Sequence, residues 1–306
     1  MFNDIKLAFQ SFKKNFADYL AVSFVFGMIV LVGIMLGQMV IGMFLASIIV
    51  IIPAIMSLKF CAFQSHSKDE VDYRSLKIGF LTFFKSIKVY FIVILKPLLI
   101  ALLTGVFVYS FFMSFGISEA SKTIPNIMEE LSNYDTFTYA HEEMLQIASV
   151  KKILTIGSVV SVIVGYLVCF TLKLKRDFIP FIAFEMPINS KRAVSMNEKI
   201  LKGNFIKFFI SNLLVTLMFA IPIGAAYLTN VGMTSNEVFS STTISLMSCV
   251  VFCVFAGPVA MIKQLHYSYA YKSYSKPFKE DFDSELKNVI KEIEELQKII
   301  DKNDEK

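Results

Sequence analysis

Between Tyr19 and Leu58 the chain reads YLAVSFVFGMIVLVGIMLGQMVIGMFLASIIVIIPAIMSL, 40 residues without a charge. As one helix this would be about 60 Å long at ~1.5 Å per residue. That is roughly twice the ~30 Å hydrocarbon core of a bilayer. Lipid offers no partner to an open backbone, so the stretch predicts two membrane-crossing helices and a tight reversal. We place the reversal at Gly37-Gln38, with spans at 19–36 and 40–58. Gly33 and Gly37 form a GxxxG pair, and Gly42 with Ala46 continues the small spacing. Small residues at that interval let helix backbones approach closely.

The rest of the chain repeats the theme. Apolar runs at 89–115, 153–173, 208–229 and 238–262 predict four more spans. A hydrophobic fraction of 55% against 18% charge is too apolar for an ordinary soluble domain. The first apolar run passes straight into a second with no small-residue cleavage site, which argues against a removable signal peptide. The expected fold is all-α: a polytopic membrane protein with six transmembrane helices, cytoplasmic interfacial helices and a C-terminal cytoplasmic helix. Residues 1–275 form the transmembrane domain and 276–306 the amphipathic tail.

Of the 30 Lys and Arg residues, 26 fall in the segments 1–18, 59–88, 173–207 and 263–306. Three fall in the acid-rich loop 116–152, and Lys96 lies inside a span. The positive-inside rule then puts both termini in the cytoplasm and loop 116–152 outside the cell membrane. That loop contains two short helical patterns, IPNIMEELSNY and YAHEEMLQIASV, which would pack on the membrane surface or on each other. The net charge of +5 sits beside spans, which implies contact with anionic inner-leaflet lipid and no nucleic-acid partner. Residues 2–16 carry apolar side chains at helical spacing with lysines opposite, the pattern of a helix lying in the interface. In the tail, Leu286, Val289, Ile293, Leu296 and Ile300 follow heptad spacing. The tail, over 284–302, either folds back on the loops or self-associates with a partner helix.

Three segments share one design: AFQSFKKNFADYL at 8–20, LTFFKSIKVYF at 81–91 and NEKILKGNFIKFF at 197–209. Each is an amphipathic basic stretch turning into a span. They read either as a threefold internal repeat or as a recurrent solution to the same orientation. The segment 176–209 between the fourth and fifth spans reads as a membrane-hugging cytoplasmic elbow. Pro180 and Pro187 break helices there, Ser190 caps the next helix, and Gly203 permits a sharp bend.

The elbow also carries a resemblance. An apolar run ends at Phe184-Glu185-Met186-Pro187, followed by Ala193-Val194, Asn197 and Leu201-Lys202-Gly203-Asn204. The last span ends in Gly257-Pro258, followed by His266-Tyr267. In these motifs the chain resembles an uncharacterised family of bacterial six-span membrane proteins, with Asn197 standing where that family has Ser. Its membrane domain is related to one found ahead of some glycerophosphodiester phosphodiesterases. The resemblance implies a bacterial integral membrane protein and transfers no catalytic residue.

Lys96 is followed by Pro97 and lies eight residues past Lys88, about 12 Å into its span at ~1.5 Å per residue. Its amine either snorkels to the interface or faces a cavity where it pairs with Glu185 or a lipid headgroup. Asn212 is a candidate for an interhelical hydrogen bond and joins Lys96, Pro97 and Glu185 in the possible intramembrane cavity or headgroup site. Ser241, Ser245, Cys249, Cys253 and Gly257 make a small-residue stripe, either a packing seam or a pore-lining face. The four cysteines form no disulfide or zinc pattern, and the three histidines are scattered, so neither metal nor cofactor is expected. No catalytic motif is present. The expectation is a non-enzymatic envelope or accessory component in contact with anionic lipid. The alternative is a small-solute or lipid-related transporter with its cavity near Lys96.

Overall fold

The structure is a computed structural model that describes residues 3–37, 46–68, 71, 73–124, 126–132, 137–186, 190–235, 240–280 and, in the tail, 283, 284, 286–288, 290 and 291. All regular structure among them is helical. Five helical segments are long and apolar enough to cross a membrane: Phe16–Leu36, Phe83–Ala120, Ala148–Glu185, Phe205–Thr234 and Ser241–Phe278. The remaining expected span, 40–58, lies partly outside the described residues; its described part belongs to a shorter apolar helix, Ile49–Ser65. The chain divides into two compact units, Val93–Leu174 and the residues on either side of it.

The larger unit is assembled on its last long helix. In chain order it contains α1 (Asn3–Lys14), α2 (Phe16–Leu36), a π-helical turn (Ser47–Ile51) leading into α3 (Ile52–Lys68), and α4 (Ile78–Leu81). The helix α5 (Phe83–Ala120) begins there. A Cβ on Gly33 of α2 would lie 3.0 Å from Ile51, so the chain has turned back between them. The single rod that forty uncharged residues could have formed is not built.

The smaller unit, Val93–Leu174, pairs α5 with α8 (Ala148–Leu174). A Cβ on Gly165 would lie 3.3 Å from the Ala101 carbonyl, and one on Gly116 3.2 Å from Leu154, so the pair is antiparallel. Between these helices come α6 (Ile127–Ser132) and α7 (Phe137–Gln146). They pack on each other, and Ile127, Ala140 and Met144 share a core with Ala120, Val150 and Leu154. Much of the hairpin's outer surface is apolar and exposed, as at Phe107, Val162 and Leu103.

The chain returns to the larger unit as α9 (Ile179–Glu185), α10 (Ser190–Leu201), α11 (Phe205–Leu217), α12 (Ala220–Thr234) and α13 (Ser241–Ser275). With 35 residues, α13 is about 52 Å long at ~1.5 Å per residue, well beyond a bilayer core. Its first half is the apolar run expected as a span. Its second half, from Val259 to Tyr274, is almost wholly buried in protein. The helix α2 crosses it antiparallel: a Cβ on Gly257 would collide with the Ser23 carbonyl, and one on Gly27 would lie 2.7 Å from the Cys253 carbonyl. Further along, α1 follows the same direction, with Asp4 hydrogen-bonded to Tyr274. Burial raises the Asp4 carboxyl above its ordinary range, opposed in part by that hydrogen bond. Four places rich in basic residues therefore meet at one end of this unit: α1, the end of α3, the elbow and the end of α13.

Two segments make protein contacts that the sequence did not show. Part of the apolar face of α1 is covered by protein, with Ala8 and Phe12 buried beside Met261 and Leu265, while Phe9 and Phe16 stay exposed. Its amphipathic pattern serves a helix partner, because the same period fits either apolar neighbour. The elbow is likewise interior: Phe178, Ile179, Phe181 and Ile182 are at most 1% exposed. Pro180 sits in the first turn of α9, where a missing N–H costs nothing. Pro187 lies outside the described residues. Ser190 is the first residue of α10, so the cap position before it also lies outside them. Gly203 does bend the chain, at φ +83°.

The three similar segments share a local break. Asn15 (φ −114°, ψ 44°) and Thr82 (φ −104°, ψ 40°) have nearly the same backbone, and Asn204 follows the Gly203 bend. Phenylalanine follows each, as Phe16, Phe83 and Phe205, and opens a long helix.

The α2–α13 crossing makes a sharp test. Gly257→Val would overpack backbone against backbone and cost about 1–3 kcal/mol. Gly224→Val, where a Cβ meets nothing within 4 Å, is the control. Thermal unfolding in detergent should fall several degrees for the first and stay unchanged for the second. Equal effects would contradict the crossing.

Candidate functional site

The buried half of α13 is polar on one face. Lys263, Tyr267 and Tyr271 recur every fourth residue and so stack along one side of the helix. Lys263 Nζ donates to Thr216 Oγ1 at 3.0 Å, and Tyr267 Oη donates to Asn212 Oδ1 at 2.6 Å. Four residues forward on α11 match four back on α13, so these helices are antiparallel. His266 Nε2 lies 3.2 Å from Ser211 Oγ, both side chains fully enclosed.

Against Tyr267 lies a charge pair. Lys59 Nζ of α3 is 3.6 Å from Asp177 Oδ1, with side-chain exposures of 6% and 0%. The ammonium also lies over the rings of Phe181 at 5.6 Å and Tyr267 at 5.5 Å. A cation facing a carboxylate and two ring faces is balanced on several sides. The space around the pair is filled: Phe178 packs on Phe208 at 4.7 Å, and Phe181 stacks on Tyr271 at 5.6 Å.

Nearby polar groups close the termini of the elbow's helices. Lys85 Nζ donates to the Ala183 carbonyl at 3.1 Å, one of the open carbonyls ending α9. Arg176 Nη1 donates to the Ile92 carbonyl at 2.7 Å, in the turn before Pro97. Asn197 of α10 donates its amide to the Lys175 carbonyl, so this residue bridges the elbow as a hydrogen-bond donor.

The candidates from the sequence are distributed as follows. Lys96 is exposed on α5 beside exposed Leu95, Leu98 and Leu99, the setting of a snorkelling amine, and Pro97 is buried. Glu185 takes its partners from α13: Tyr271 Oη at 2.5 Å and Lys272 Nζ at 3.0 Å. Beside it a cavity of about 420 Å³ is lined by Lys272, Lys276, Asp283 and Leu286. Asn212 is fully buried and is the acceptor for Tyr267. In the small-residue stripe, Cys253 and Gly257 are in the seam with α2, Cys249 is half-buried, and Ser241 and Ser245 are exposed. Among the described residues no group of three His, Cys, Asp or Glu side chains could hold a metal.

In the sequence Lys59 is one of several basic residues flanking a span, and nothing local marks Asp177 as its partner. Asp177 is nevertheless the single acid between Leu145 and Phe184, set inside the basic run KLKRDF.

No protein-family model, no curated protein and no solved structure matches the chain.

Removing one partner of a buried pair strands the other charge, at about 3–5 kcal/mol, whereas replacing both with apolar groups is often neutral. Lys59→Met alone should lower the unfolding temperature steeply, and Lys59→Met with Asp177→Leu should recover most of the loss. Strictly additive losses in that cycle would show that the two charges act independently.

Proposed function

We propose that the protein is a non-enzymatic integral membrane protein of the bacterial cell envelope, an accessory component that holds its lysine-rich end against anionic lipid. In this reading it crosses the membrane six times, the helix containing Ile49–Ser65 being the second crossing in chain order, beside the five long apolar helices. Both termini and the elbow face the cytoplasm, and α6 and α7 lie outside.

The observation that carries the reading is the meeting of four basic segments at one end of the larger unit. Exposed lysines there include Lys6, Lys13, Lys14, Lys191, Lys202 and Lys207. Each lysine near an anionic leaflet contributes about 1 kcal/mol of attraction. The interior of that end is occupied by Phe178, Phe181, Phe208 and Tyr267 around a paired charge, which favours a sealed body over a solute path. The shared break before Phe16, Phe83 and Phe205 supports descent from a repeated unit.

The test is lipid-dependent stability of the purified protein in neutral detergent. Phosphatidylglycerol should raise the unfolding temperature by several degrees and phosphatidylcholine by much less. The difference should shrink in high salt, because the screening length falls from ~10 Å at 0.1 M to ~3 Å at 1 M. Equal shifts with both lipids would overturn the proposal.

A further inference from the structure

An apolar groove of about 410 Å³ runs along the outer face of α2, lined by Phe24, Met28 and Val32, with Val50 and Phe80 closing its sides. Its walls expose no polar surface. Phe24, Met28 and Val32 follow each other at four-residue spacing on a helix apolar enough to span a bilayer, so the groove extends along the membrane-crossing part of α2. Each of the three is between 42% and 53% exposed.

Phe80 fixes the depth of one end. It belongs to α4, whose next residues are Leu81, 79% exposed, and, just beyond α4, Phe84, 85% exposed. Bulky apolar side chains pushed so far out of the protein, between exposed Lys77, Lys85 and Lys88, mark a segment seated in the membrane interface. Lys77 ends the 3-10 turn Tyr73–Lys77 that leads directly into α4, three residues and about one turn before Phe80. A groove that is apolar along the span and meets a lysine at interfacial depth matches a phospholipid: acyl chain within, phosphate at the lysine.

We propose that this groove binds one phospholipid by an acyl chain, with Lys77 holding its phosphate and favouring an anionic headgroup. The inference deepens the lipid-contact reading and rests on its placement of the chain in a bilayer. Its occupant is an individual lipid retained on the protein, distinct from the diffuse attraction of the lysine-rich end.

The experiment is quantitative lipid analysis by native mass spectrometry after delipidation in detergent. The native protein should keep a phospholipid, with anionic lipid preferred over zwitterionic by about fivefold, the attraction of one interfacial lysine. Met28→Trp and, separately, Val32→Trp fill the groove from an already exposed position, so each should fold and lose most of the retained lipid. Lys77→Ala should keep the lipid and lose the anionic preference, whereas Lys191→Ala, elsewhere on the basic end, should change neither. Full retention in both groove-filled proteins would overturn the proposal, as would a native protein that keeps no phospholipid. The two readings separate cleanly. If the anionic thermal shift persists while retention ignores the groove, only the groove proposal fails. If retention follows the groove and no anionic thermal shift exists, only the broader reading fails.

Discussion

The ion pair of Lys59 and Asp177 is the constraint on which the larger unit depends. Each charge withdrawn from water costs several kcal/mol, so neither tolerates burial alone. Lys59 sits in α3 directly after an apolar, buried stretch, and Asp177 follows closely on α8 in the chain. Bringing them together under Tyr267 forces α3, the elbow and α13 to converge. Once they converge, Phe178, Phe181, Phe208 and Tyr271 have a common interior to fill. The aromatic cluster stabilises this end, while the charges specify which segments form it.

The same convergence explains why α13 is so long. Its first half satisfies lipid with apolar side chains, and its second half satisfies protein partners with Lys263, His266, Tyr267 and Tyr271. A helix can change its surroundings at Lys263 without a break because its backbone is satisfied internally throughout. The neighbours then take their directions from it. Lys59 and Phe63 of α3 meet Tyr267 and Tyr271 in parallel order, whereas Asn212 and Thr216 of α11 meet Tyr267 and Lys263 in reverse. Such an end is a packed aromatic body with exposed lysines around it.

Much of the helical architecture was legible because lipid imposes a length on every apolar run. Tyr19–Leu58 had to reverse, and Gly33 now lies against Ile51. The runs ending at Leu36, beginning near Phe205 and beginning near Ser241 correspond closely to helices. What the sequence hid is what covers an amphipathic face. The spacing of Ile5, Ala8 and Phe12 fits a bilayer surface as well as the flank of α13, and only the partner decides. The elbow's burial was hidden for a related reason: its prolines and basic residues look superficial, yet Phe178, Ile179, Phe181 and Ile182 are buried. At the site level, the close packing of Cys253 and Gly257 was readable from small-residue spacing. The pairings of Asp177 with Lys59 and of Glu185 with Lys272 were not, since each joins residues at least 87 positions apart.

The most direct measurement is nitrogen-detected lysine side-chain NMR on the detergent-solubilised protein, with Lys59 assigned by substitution. An amine enclosed by Asp177, Phe181 and Tyr267 should be shielded from water. Its protons should exchange slowly with water and its resonance should move on Asp177→Asn. A Lys59 signal that exchanges as fast as that of exposed Lys191 and ignores Asp177→Asn would contradict the account.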